Sequence, residues 1–176
     1  MATKHPDAIA LLKQDHRKVE HLFDEFTKAR SDRRKQELVQ EICTELMIHA
    51  TIEEEIFYPV LKGRIDRDLL SEAYVEHDGA KVLIAELLEA GVDDPFCDAK
   101  MTVLCEEIRH HVKEEERPGD GMFAQARAAG IDMNALADAL ATRKQTLLAE
   151  FRTEGLPTPT TRSFAGAVLQ HGAPVA

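Results

Sequence analysis

ELMIHATIEEEIFYP, residues 45–59, places one histidine and three consecutive glutamates inside an otherwise apolar helical run. A helix with one face in water keeps its ionisable groups on that face. Here Ile42, Leu46, His49, Glu53 and Ile56 recur at steps of three and four, so His49 and Glu53 share the face of Leu46 and Ile56. The face that should enter a core therefore carries an imidazole and a carboxylate. Whatever makes that burial favourable decides the fold. Glu54 and Glu55 fall to the sides, where water or cations would meet them, and Phe57, Tyr58 and Pro59 close the helix.

The same anomaly recurs along the chain. Ile9, Leu12, His16, Val19, Phe23 and Phe26 form one such seam, and Leu70, Ala73, His77, Ala80, Ile84 and Leu87 form another. A fourth runs through Leu104, Ile108, His111 and Glu115. The spacings predict helices over about residues 6–29, 33–62, 66–90 and 95–117, with a fifth over about 133–153. Short connections make sequential neighbours antiparallel, so the first four predict an all-α, up-and-down four-helix bundle. Leu136, Leu140, Leu147 and Phe151 give the fifth helix an apolar face that packs outside that bundle. We expect residues 1–155 to form one domain, with the bundle core over about 8–125, and 156–176 to be an irregular tail, its two Thr-Pro steps offering few helix signals.

The arrangement repeats. His16 to His77 is 61 residues, and His49 to His111 and Glu53 to Glu115 are each 62. Asp15 before His16 is echoed by Glu76 before His77. A repeat of this kind sets two equivalent ligand groups about a pseudo-twofold axis, which suits two metal ions.

Composition narrows the function classes. A length of 176 residues and a net charge of −10 fit one acidic domain and argue against a nucleic-acid binder, which needs a clustered positive surface. An anionic membrane surface is disfavoured for the same reason. No stretch approaches the roughly 20 apolar residues of a membrane span, and the charged start MATKHPDAIALLKQDH is unlike a signal peptide. We expect a soluble, cytoplasmic protein. Three cysteines, Cys43, Cys97 and Cys105, form no Cys-x-x-Cys pair and read as small buried side chains rather than a disulfide or thiolate framework.

Spacing alone is weak without phase. Five His-x3-Glu pairs occur where composition (8 His and 19 Glu in 176 residues) gives roughly one. His21 and Glu25 lie about 140° round the helix from His16 and read as solvated surface partners. His110 and Glu114 are out of phase with Leu104 and Ile108, so His111 and Glu115 are the preferred pair. Glu20 is near its seam, but its counterpart in the repeat is Lys81; we assign it at most to the surroundings of a site. Burying unpaired carboxylates and charged imidazoles costs several kcal/mol each, against a total stability of about 5–15 kcal/mol. Cations reverse that sign, making carboxylates bridges and neutral imidazoles donors. Nitrogen-rich ligation with bridging carboxylates suits iron better than calcium or magnesium, with zinc or manganese able to substitute.

The strings KQDHRKVEHLFDEF, IHATIEEEIFYPVL, EAYVEHDGAKVLIAEL and RHHVKEEE, in this order, resemble the motifs of the hemerythrin-like, or HHE cation-binding, domain family over about residues 8–125. The resemblance implies a bundle holding two irons with an oxo or hydroxo bridge, ligated by His16, His49, Glu53, His77, His111 and Glu115, that binds O2 or related small oxidants. A ferritin-like site would need two Glu-x-x-His pairs, and only Glu107 with His110 fits. Respiratory members of the family carry a further histidine where this chain has Ala73, which implies an open coordination position near which Tyr74 stands as a phenol ligand or hydrogen-bond donor. EEERPGDGMFAQA replaces the family's usual Phe-Pro continuation, so the fourth helix should end just after Glu115 and leave that residue mobile.

Two functions fit. One is a protein that binds, senses or buffers iron, O2, NO or peroxide. The other is a di-iron enzyme acting on peroxide or NO, with electrons from an external reductant or redox partner protein. A third, a scaffold with an inert site, would expose apolar residues on the fifth helix or tail, such as Leu156, Phe164, Val168 and Leu169. No pattern in the chain sets an oligomeric state.

Overall fold

A computed structural model describes residues 6–164 of the protein. Four long helical stretches form the bundle: α1 (Ala8–Lys28), α2 (Asp32–Ile52), which runs on through a π-helical turn (Glu53–Phe57) into α3 (Tyr58–Leu61), α4 (Arg67–Ala90) and α5 (Cys97–Glu116). A short helix α6 (Met122–Ala128) and a long α7 (Met133–Glu154) follow. The described residues contain helices and no strands.

Local chemistry sets the boundaries. Asp7, Ser31, Asp66 and Asp132 each accept a hydrogen bond from a backbone N–H in the first turn of α1, α2, α4 and α7, satisfying donors that a helix start leaves free. Gly91 ends α4 at φ 59°, a left-handed conformation that glycine adopts without a Cβ penalty. The π turn precedes Pro59, whose ring clashes with the carbonyl four residues earlier in α geometry and whose nitrogen carries no hydrogen. There the Tyr58 N–H reaches back five residues to the Glu53 carbonyl.

The apolar seams bury in two clusters with a polar layer between them. One gathers Ala8, Leu12, Ile48, Ile52, Phe57, Leu61 and Leu70 with Met122 and Phe123 of α6 and Leu136, Leu140 and Leu147 of α7. The other gathers Val19, Phe23, Phe26, Leu38, Ile42, Leu46, Ile84, Leu87, Met101, Leu104 and Ile108. Along α1 the order is Leu12, then Asp15 and His16, then Val19; α4 follows the same order from Leu70 through His77 to Ile84, and α2 runs it in reverse from Leu46 through His49 to Ile52. The chemistry is thus held in a slab between two dry plugs.

The fifth predicted helix is α7, packed across α1 and α2. The fourth does end at Glu116, as Pro118 dictates. Glu115 is only 1% exposed, and the chain after it returns to the core through α6, an element the sequence reading left out. Residues 155–164 are irregular but fastened. Asp78 accepts hydrogen bonds from the Arg162 N–H (2.8 Å), the Ser163 N–H (2.6 Å) and the Ser163 hydroxyl (2.7 Å). Leu156 is half-buried and Phe164 exposed, while Val168 and Leu169 lie outside the described residues.

Candidate metal centre

All six residues singled out by phase meet in the slab. His16 of α1 and His49 of α2 approach with Nε2 atoms 3.1 Å apart, and His77 of α4 and His111 of α5 do so at 3.2 Å. Glu53 and Glu115 lie between the two pairs. Glu53 Oε2 is 3.2 Å from His49 Nε2 and 3.4 Å from His77 Nε2. Glu115 Oε2 is 3.3 Å from His16 Nε2 and 3.6 Å from His111 Nε2. Each glutamate therefore touches one imidazole of each pair. None of the six is more than 6% exposed.

The outward ring nitrogens show how the imidazoles are oriented. His16 Nδ1 donates to Glu116 Oε1 (2.7 Å), His77 Nδ1 to Glu54 Oε1 (3.0 Å) and His111 Nδ1 to Glu76 Oε2 (2.8 Å). His49 Nδ1 faces Asp15 Oδ2 at 3.7 Å, an ionic contact longer than a hydrogen bond. These four carboxylates obey the repeat: Asp15 and Glu76 are equivalent, as are Glu54 and Glu116. A histidine whose Nδ1 hydrogen is given to a carboxylate presents a basic Nε2 to a metal, the usual arrangement around ligating imidazoles. Glu54 and Glu116 were not recognised from phase alone. Glu54, expected at the flank beside water or cations, is buried between His77 and Lys81, whose Nζ lies 2.6 Å from it. Glu55 does reach a cation at the flank, Arg143.

Tyr74 and Glu20 sit apart from the cluster. The Tyr74 ring packs edge-on against Tyr58 (centroids 5.2 Å apart) with the Arg162 guanidinium 5.4 Å from its centroid. Glu20 pairs with Arg17 at 2.8 Å. The phenol that reaches the cluster is Tyr58, fully buried, with its hydroxyl 3.1 Å from Glu115 Oε1, 3.3 Å from Glu53 Oε2 and 3.3 Å from His77 Nε2. Straight α-helix phase turns Tyr58 about 140° away from Glu53; the π turn brings it back, and only the Tyr-Pro step hinted at that.

Electrostatics describe a proton-filled cluster in the metal-free protein. Burial alone would lower the His49 imidazole, but the Glu53 charge and the Asp15 carboxylate raise it to about 10. Glu53 and Glu54 likewise raise His77 to about 9 against burial. Burial would raise Glu53, yet the charge and hydrogen bonds of His49 and His77 hold it well below the ordinary carboxylate range. Burial, then the charges of Glu115 and Glu53, push the Tyr58 phenol well above its usual range, so it stays a hydrogen-bond donor. Glu116 is held at about 2 despite burial, by the His16 hydrogen bond and charge and by Arg17.

The donor set fits cations. Glu53 Oε1 and Glu115 Oε2 are buried without a hydrogen-bond partner, a costly state for a carboxylate oxygen. His77 and His111, whose Nδ1 hydrogens are given to carboxylates, turn their Nε2 atoms on each other, and a shared proton or a cation relieves that. Ligating atoms lie mutually within 4.8 Å in two sets, His16, His49, Glu53 and Glu115, then Glu53, His77 and His111. An exposed third set, Glu72, His110 and Glu114, lies at the surface and holds the out-of-phase pair.

A bundle of antiparallel helices with carboxylate-backed histidines about two central glutamates defines a cation-binding helical bundle. A family model for the hemerythrin HHE cation binding domain matches residues 7–118, and the chain belongs to that family. A crystal structure of a hemerythrin HHE cation binding domain-containing protein from Mycobacterium kansasii superposes with a TM-score of 0.68 at 24% identity, covering 86% of this chain and 96% of that one; this likeness speaks for the fold. A curated relative, a DNA nickase of Nostoc sp. (strain PCC 7120 / SAG 25.82 / UTEX 2576), is 27% identical over 106 residues, 60% of this chain. The match spans 30% of that longer protein.

Proposed function

We propose that the slab holds two iron ions and that the protein binds, senses or buffers iron, O2, NO or peroxide there. His16 and His49 serve one ion, His77 and His111 the other, and Glu53 and Glu115 bridge. The observation that carries this reading is that each glutamate meets one imidazole of each pair, which couples two cations in one site. Iron suits this nitrogen-rich, thiolate-free donor set, with zinc or manganese as substitutes. When bound, it supplies a redox-active Lewis acid with room for a small ligand.

The chain's own residues do the rest. Asp15, Glu54, Glu76 and Glu116 hold the imidazoles in orientation. Val19, Leu46, Ala80, Ile84, Ile108 and Val112 line, with the four histidines, a cavity of about 20 Å³ beside the cluster. A space of that size takes about one water-sized molecule, which matches a diatomic ligand. Among the described residues no helix is long and apolar enough to cross a membrane, and the three cysteines are free; we place the protein in the cytoplasm. With a net charge of −10 the chain lacks the positive surplus that a phosphate backbone demands, so our reading leaves out DNA.

Protein loaded with ferrous iron without air should hold about two irons per chain. Exposure to air should then develop charge-transfer bands that azide shifts. Protein that stays metal-free in excess ferrous iron, or that binds iron normally after His49→Ala and Glu115→Ala, would overturn the reading. The alternative, an enzyme on peroxide or NO with an external reductant, draws on Ala73, which leaves one coordination position without a protein ligand; bands bleached and regenerated through repeated peroxide additions would favour it.

A further inference from the structure

We propose that Tyr58 is itself a metal ligand, its phenolate oxygen joining His77, His111 and the two bridging glutamates. The proposal rests on the two-iron reading and adds a donor type to it.

Three observations point the same way. The first is position. The Tyr58 oxygen stands 3.1–3.3 Å from Glu115 Oε1, Glu53 Oε2 and His77 Nε2. Neighbouring ligating atoms stand 3.1–3.6 Å apart, so the hydroxyl sits at the same spacing as a member of the donor cluster. The second is side. Of the two imidazole pairs, the phenol touches His77 and so belongs with His77 and His111. The third is the backbone. The π turn is the local feature that turns Tyr58 inward, and π turns inside α-helices concentrate at functional sites.

Cation binding also removes the reason for the hydroxyl to remain protonated. The Glu53 and Glu115 oxygens that face the hydroxyl are lone pairs that a cation would take, and a fully buried hydroxyl short of acceptors is costly. On coordination the O–H bond breaks, its electron pair stays on oxygen to form the oxygen–metal bond, and the proton leaves to solvent. A bound cation favours such deprotonation. Tyr74 cannot substitute, because the Tyr58 ring lies between it and the cluster.

The test loads wild type, Tyr58→Phe and Tyr74→Phe with iron, oxidises them in air, and records absorption, resonance Raman spectra and iron content. Wild type and Tyr74→Phe should show a visible phenolate-to-ferric band whose ring vibrations shift when the protein is made with ring-deuterated tyrosine. Tyr58→Phe should lose that band while keeping close to wild-type iron content. Zinc loading should release about one proton fewer from Tyr58→Phe than from wild type. Two bound irons without a phenolate band in wild type, or a band that survives Tyr58→Phe, overturns the proposal and leaves the two-iron reading standing. Failure of every protein to take up iron sinks both. If Tyr58→Phe does not fold, the isotope shift in wild type and Tyr74→Phe still decides.

Discussion

Glu76 backs an imidazole, as Asp15, Glu54 and Glu116 do, but with unequal support. Lys144 sits on Asp15, Lys81 on Glu54, and Arg17 with Lys13 on Glu116. Among the described residues Glu76 meets only His110 (3.5 Å) besides His111. Glu76→Gln keeps the shape and removes the charge behind His111, so metal affinity should fall about 10- to 100-fold, read by competition with a chelator, with the helical circular dichroism unchanged. The histidines also set a pH dependence in the metal-free protein. His49 and His77 are raised to about 10 and about 9. Their contribution to stability is therefore complete below the ordinary imidazole value of about 6.5 and is lost as pH climbs through about 9 to 10. Urea midpoints of the metal-free protein should fall across that alkaline window. Metal uptake should strengthen across the same rise, because cations displace those protons. At this scale the six clustered residues were legible, since an imidazole or carboxylate in phase with leucines cannot face water. Their carboxylate partners were not, because each comes from a different helix and sits one residue along from another ligand.

Two short elements show what periodicity cannot see. The π turn resets helical phase by one residue, which is why Tyr58 read only as a helix-closing residue when α geometry was assumed throughout. α6 occupies seven residues between glycines, too short to display a repeat, yet Phe123 stacks on the His16 ring with centroids 5.9 Å apart. Its entry depends on Gly121. A Cβ there would lie 2.5 Å from the Arg117 carbonyl oxygen and 2.7 Å from that of Glu114. Gly121→Ala should therefore cost about 1–3 kcal/mol through forced backbone movement, seen as a lower melting temperature. α7 was legible as a helix, but not as part of the core. Leu140 is fully buried there, so Leu140→Ala should destabilise by about 2–5 kcal/mol, whereas Val82→Ala on the exposed face of α4 should stay within about 0.5 kcal/mol. Residues 156–164 carry no helix, and their attachment to Asp78 rests on a tertiary contact with no local signal.

Over the whole molecule, two apolar clusters clamp a layer whose charges oppose one another at close range. That layer is the part of the fold a cation should stabilise most. At a free metal concentration about 1,000 times the dissociation constant, the folded state gains about 4 kcal/mol over the metal-free protein. Removing iron with a chelator should lower the melting temperature by several degrees, and re-addition should restore it. The cavity beside the histidines has a different consequence. Each of its lining residues is at most 9% exposed, so the way in is narrow. Admission of a gas molecule should then track how often the bundle breathes wider. Ligand association should then depend steeply on temperature and little on ionic strength. Ile84→Ala, which thins the wall, should speed azide binding by about tenfold for each ~1.4 kcal/mol removed from the opening barrier, as stopped-flow absorbance would show.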